Sequence, residues 1–79
     1  SAGSLQYIEY TPAAGTTTFV IPGIPTSSVV LIAIRSGQVK GITTSATTNT
    51  AYLQIVGSTV TLPTGDVTAA DELFIFNYR

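Results

Sequence analysis

Hydrophobic and polar positions alternate along most of this chain with a period of two. In STVTL, residues 58–62, Val60 and Leu62 point to one side and Thr59 and Thr61 to the other. AYLQIV, residues 51–56, sets Leu53 and Ile55 on one side and Tyr52 and Gln54 on the other. Such alternation marks strands with one face on a core and one in solvent. No run of apolar residues at helical spacing occurs, so no amphipathic helix is expected. The pattern predicts strands over residues 5–10, 16–21, 29–35, 39–42, 51–56, 59–62 and 72–78.

The connections carry turn chemistry. TPAAG, 11–15, is a loop punctuated by Pro12 and Gly15, and PGIPTSS, 22–28, has two prolines that cannot donate to a sheet ladder. Ser36-Gly37 and Gly57-Ser58 each separate two strand-like runs at the spacing of a two-residue hairpin turn. Gly37 supplies the positive φ of the first, and Gly57, at the first central position, suits a type II′ turn in the second. TTSATTNT, 43–50, reads as an exposed, mobile loop. PTGDVTAAD, 63–71, has room for one helical turn over 67–70.

Two strands break the alternation. VVLIAI, 29–34, is apolar on both sides, and ELFIFNY, 72–78, sets Leu73 and Ile75 against Phe74, Phe76 and Tyr78. Strands covered on both sides belong in the middle of a structure. At 79 residues the chain forms one domain, and a domain of this size buries only about 60% of the surface its unfolded form exposes. The expected second cover is therefore another subunit, with Val30, Ile32 and Ile34 or Phe74, Phe76 and Tyr78 as the interface. Residues 1–4 are expected to be disordered or left from a cleaved tag. The fold expected for 1–79 is all-β: a small antiparallel sandwich or partly closed barrel of six or seven strands.

Composition narrows the function. There is no Cys and no His, which excludes a disulfide framework and the common zinc ligands. Only 9% of residues are charged, against about 25% in ordinary soluble domains. Three cations and a net charge of −1 cannot make the basic face that nucleic acid requires. The longest apolar run, 29–34, is far below the roughly 18 residues of a membrane-spanning helix.

Candidate chemistry is sparse. The acids are Glu9, Asp66, Asp71 and Glu72. Asp71 and Glu72 are neighbours and would point to opposite sides of a strand, and Asp66 beside Gly65 reads as a turn former. Ser27, Ser28, Ser36, Ser45 and Ser58 lie in expected loops with no His to act as base. Asp66, Asp71 and Glu72 could offer oxygen ligands to calcium, but their spacing fits no loop motif. No enzyme, metal site or cofactor is expected. Arg35, Lys40 and Arg79 are expected to make surface ion pairs with Asp71 or Glu72. In IRSGQVKG, 34–41, the residues Arg35, Ser36, Gly37 and Lys40 form an exposed hairpin tip, with the two cations keeping the strand ends wet. Exposed tyrosines among Tyr7, Tyr10, Tyr52 and Tyr78 would suit a binding surface.

From Thr17 to Tyr78 the order of features resembles a β-module of bacteriophage tail fibres and other virion structural proteins. TTFVIPG is a strand with Phe, IPTSS a spacer, and the apolar strand ending in IRSGQV matches the module's hairpin tip, with Ser36 where it often has Asn. YLQIVGSTVTL matches its second hairpin, and TAADELFIFNY its acidic turn and last strand. The resemblance implies a virion localisation and a rigid building block of a fibre, spike or capsid decoration. It further implies self-assembly as a trimer and contact with other virion proteins, with no catalytic residues. A carbohydrate- or cell-surface-binding adhesive module, with a host-surface glycan as partner, is the alternative.

Overall fold

The computed structural model of the chain describes residues 4–24 and 30–79. Among these residues seven strands follow one another: β1 Gln6–Tyr10, β2 Thr18–Val20, β3 Leu31–Arg35, β4 Gln38–Thr43, β5 Tyr52–Val56, β6 Thr59–Thr61 and β7 Phe74–Tyr78. They form one sheet in the order β1-β7-β3-β4-β5-β6-β2. The sheet curls into a half-barrel, so of the two expected all-β architectures the partly closed barrel is the one adopted. Five neighbouring pairs are antiparallel. The sixth departs from the antiparallel arrangement expected: β4 and β5 run parallel, with Gly41 opposite Tyr52.

β4 is the seam of the curl. Its first half pairs with β3 through Gln38, Val39 and Lys40, and its second half with β5 through Gly41, Ile42 and Thr43. Residues 44–51 return the chain to the start of β5. That polar loop is knitted by its own side chains: Thr43 and Thr47 Oγ1 accept from the amides of Ser45 and Asn49, and Asn49 Oδ1 accepts from Ala51. Gln54 Nε2 donates to the Thr44 carbonyl, and the Thr64 amide donates to the Thr47 carbonyl.

The inner face carries the core. Phe19, Ile21, Ile24, Ala33, Leu53, Ile55, Val60, Leu62, Phe74 and Phe76 form one buried cluster, with Ile8, Tyr10, Leu31 and Ile42 packed against it. The rings run as a chain: Tyr10 stacks on Phe19 at 5.6 Å, Phe19 meets Phe74 edge-on at 4.9 Å, and Phe74 lies parallel to Phe76 at 6.3 Å. Tyr10 and Phe19 belong to β1 and β2, the two edges of the sheet, so their contact bridges the open side of the half-barrel. Each buried Phe is worth roughly 1.5–3 kcal/mol.

This packing corrects the expected assembly interface. Phe74 and Phe76 have no exposed surface within a single chain, so they are core. Tyr78 shares their face and is half-buried. Of the expected interface residues, Val30, Ile32 and Ile34 lie on the opposite, outer face; Ile32 is exposed and the other two are half-buried. The small side chain of Ala33, opposite Phe76 in the register, leaves room for that ring.

The expected strands shift only at their ends. β7 starts at Phe74 rather than at 72, and β2 is shorter than 16–21, although Thr17 and Ile21 still bond Leu62 and Ser58 across the ladder. Val30 and Arg79 exchange both backbone bonds just beyond the ends of β3 and β7. No helical turn forms over 67–70; a single bond from the Glu72 amide to the Ala69 carbonyl closes a turn instead. The expectations for residues 1–3, for the spacer at 25–28 and for a strand start at Val29 lie outside the described residues.

Candidate functional site

The β3–β4 hairpin turn positions the polar centre of the molecule. Ser36 and Gly37 have φ of 50° and 80°. Positive values at both central residues define a type I′ turn, whose twist matches that of the flanking strands. Gly37 supplies one of them, as expected, and Ser36 supplies the other despite its side chain. In the β5–β6 turn only Gly57 is positive, at 61°, consistent with type II′.

Beside the β3–β4 turn lies an open cleft of about 240 Å³ lined by Arg35, Ser36, Gln38, Lys40, Thr50, Asp66 and Glu72. Arg35 is its anchor. It is the last residue of β3 and shares the inner parity of Leu31 and Ala33, so its stem runs over the core end. Its guanidinium lies 5.6 Å from the Phe74 ring centroid, a cation–π contact. Nε donates to Glu72 Oε2 at 2.5 Å and Nη2 to Oε1 at 3.2 Å. Nη1 donates to Asp66 Oδ2 at 2.5 Å, and Nη2 also reaches Asp66 Oδ1 and the Val67 carbonyl. Only 12% of its side chain is exposed.

The expectation that Arg35 keeps a strand end wet is therefore corrected. Its fork is filled by acceptors from residues 66–72, and of the four residues expected at the exposed tip only Ser36 and Gly37 are exposed. Lys40 is half-buried, with Nζ donating to the Thr50 carbonyl at 3.0 Å. The expected pairing of Arg35 with Glu72 is present. Asp71 is not its second partner; that is Asp66, which the sequence marks only as a turn former.

Glu72 has both oxygens occupied. Oε2 accepts from Arg35 and from the Ser36 hydroxyl at 3.0 Å, and Oε1 accepts from Arg35 and from the Ala69 amide at 2.9 Å. The Arg35 hydrogen bonds, with smaller help from the Ala69 amide and Ser36, outweigh burial and lower its pKa to about 2. In turn, hydrogen bonding to Glu72 raises the Arg35 pKa above its usual value.

These facts limit what the cleft can do. Asp66 and Glu72 converge, but with a guanidinium between them rather than a scissile bond. A carboxylate with a pKa near 2 is a poor proton acceptor for Ser36 and no proton donor at neutral pH. Nor is Glu72, held low by Arg35, the raised carboxyl that protonates a leaving group in glycoside hydrolysis. The arrangement is a clamp that ties loop 63–73 to the β3–β4 hairpin.

A second clamp holds the same loop from the other side. Thr68 is 2% exposed, and its Oγ1 lies 2.8 Å from the Ala13 carbonyl and 3.0 Å from Thr16 Oγ1. The Thr16 amide donates to that same oxygen, and Gly15 and Thr68 donate to the Thr68 and Thr16 carbonyls. No pattern of residue types in the sequence distinguishes Thr68 from its many exposed counterparts.

On the outer face the register aligns apolar side chains. Ile75 stands opposite Ile34, and Ile34 opposite Val39. In the next row Asn77 lies between Tyr7 and Ile32. Val39 is 71% exposed, Tyr7 65% and Ile32 39%. Comparison with models of known families, with curated proteins and with solved structures finds no significant match to this chain.

Proposed function

We propose that this chain is a structural, non-catalytic subunit of a bacteriophage particle, in a tail fibre, spike or capsid decoration. It assembles with copies of itself through the outer face of β3, β4 and β7, as a trimer in the arrangement the resemblance implies. The phage context rests on the order of motifs from Thr17 to Tyr78. The observation that carries the assembly reading is the outer row Ile75, Ile34 and Val39 with Ile32 beside it. The inner face has already used its large apolar side chains in the core, and this row is apolar surface left for a partner to cover, as are Val20 and Val56 on β2 and β5. The clamped loops keep that face rigid, so little ordering entropy opposes assembly.

The test is the native mass at micromolar concentration, for the wild type and for a variant carrying Ile32→Lys and Val39→Lys. A multiple of the chain mass that falls in the variant, with an unchanged urea midpoint, supports the reading. A wild-type monomer overturns it.

A second reading is an adhesive module for carbohydrate or a cell surface, favoured by the exposure of Tyr7 and Tyr52 on the outer face. Glycan binding that is lost on Tyr7→Ala or Tyr52→Ala, with no change in native mass, would favour it over assembly.

A further inference from the structure

Backbone hydrogen bonds identify which groups on the edge strand β1 are left open. Val30 and Arg79 exchange both bonds, and the Ser36 amide donates to the Leu73 carbonyl. With Leu31 opposite Tyr78, the odd-numbered residues of β7 therefore bond β3 and the even-numbered ones bond β1. On β1 their partners are Gln6, Ile8 and Tyr10. Tyr7 and Glu9 turn N–H and C=O away from the sheet, and no backbone partner among the described residues meets them. An edge of this kind is usually blunted by charged side chains, Lys above all, by Pro, by a bulge or by shortness. Of these β1 has only the single charge of Glu9: it reads QYIEY and pairs without a break over five residues. The opposite edge, β2, is only three residues long.

We infer that this edge binds β1 of a second copy of the chain, antiparallel, about a two-fold axis at Ile8. That register sets Tyr7 opposite Glu9 of the partner subunit, and Glu9 opposite Tyr7 of the partner subunit. Both are outward-facing residues, so each pair exchanges two backbone bonds. Leu5 falls opposite Thr11 of the partner subunit by the same count. A slip of one residue sets outward groups against inward ones and loses the bonds. A slip of two in one direction sets Glu9 against its own copy, where like charges repel. The register at Ile8 instead gives each Glu9 a tyrosine neighbour, and it brings the inner side chains of Ile8 together across the axis. Pro12, which has no N–H, ends the pairing just beyond Thr11.

This contact is separate from the outer-face contact, because it uses backbone groups at a sheet edge. Alone it joins two copies; with a three-fold outer face it joins six. The number of copies in the native particle is therefore even.

Native mass spectrometry with amide hydrogen exchange tests the contact. In the wild type the Tyr7 and Glu9 amides are expected to be protected beyond those of Thr18 and Val20, the outward amides of β2, and to lose protection on dilution. Tyr7→Glu sets acids opposite each other twice and is expected to weaken the association about tenfold or more, halving the mass. Adding Glu9→Lys to Tyr7→Glu places opposite charges across the axis and is expected to restore it. Tyr7→Pro, which removes an outward N–H that β7 does not use, is expected to behave as Tyr7→Glu does. An odd number of copies would overturn the inference. So would Tyr7 and Glu9 amides that exchange as fast as those of Thr18 and Val20 at every concentration, or a folded double variant that fails to reassociate. Failure of the outer-face reading is seen separately, as an unchanged mass on Ile32→Lys with Val39→Lys.

Discussion

Arg35 grips Glu72 at two points, with Nε on one carboxylate oxygen and Nη2 on the other, across 37 residues of sequence. The grip joins the last residue of β3 to the turn before β7, and Asp66 fills the other side of the fork. Arg35→Ala would leave the Glu72 carboxylate, 7% exposed, beside that of Asp66 with no cation between them. The expected loss is about 2–4 kcal/mol, read as a lower urea midpoint. Arg35→Lys is expected to recover only part of it, because an ammonium cannot reach both carboxylates in fork geometry.

The same grip makes stability depend on pH. The folded pKa of Glu72, about 2, lies below the ordinary value of 4.5. A depressed acid contributes stability that is fully present above the unfolded value and is lost as pH falls toward the folded one. The unfolding free energy is therefore expected to drop between about pH 4.5 and pH 2, by on the order of 1–2 kcal/mol after allowance for screening in an open cleft. Glu72→Gln should be less stable at pH 7 and should show a flatter profile across that window. Urea titrations at successive pH values measure both; an unchanged slope in Glu72→Gln would remove Glu72 as the cause.

Ser36 occupies a left-handed position that Asn tolerates better than Ser. Ser36→Asn is expected to be neutral or stabilising by about 0.5 kcal/mol, since its amide can replace the hydroxyl donor to Glu72. Ser36→Val is expected to cost about 1–2 kcal/mol, from a β-branched side chain at positive φ and the lost hydrogen bond. Thermal melts of the two variants should move in opposite directions or differ clearly in size.

Tyr52 lies over Gly41, its neighbour across the parallel pair. A Cβ at Gly41 would come within 2.6 Å of the Tyr52 ring. Gly41→Ala must swing that ring outward and is expected to cost about 1 kcal/mol. On a Tyr52→Ala background the same change should cost little, because the obstacle is gone. A double-mutant cycle measures the coupling; additive effects would show that the ring does not rest on the glycine.

Alternation with a period of two, together with short apolar blocks bounded by turn residues for β3 and β7, was enough to place the seven strands, and the lack of helical spacing to exclude an amphipathic helix. The dipeptides Ser36-Gly37 and Gly57-Ser58 were enough to place both hairpin turns. These features are local: they depend on residues within a few positions of one another, where side-chain parity and turn geometry act directly. The tertiary structure alone decided that β4 meets β5 in parallel, that β7 lies between β1 and β3, and that Phe74 and Phe76 face inward. A strand apolar on both sides carries no mark of which side is the core, so β3 and β7 could not be oriented from their own residues. Ala33 settles the choice only once Phe76 stands opposite it. Arg35 was equally ambiguous. Its charge suggests solvent, and its acceptors lie 31 and 37 residues away, so only the folding of loop 63–73 onto the hairpin turns a surface cation into a clamp.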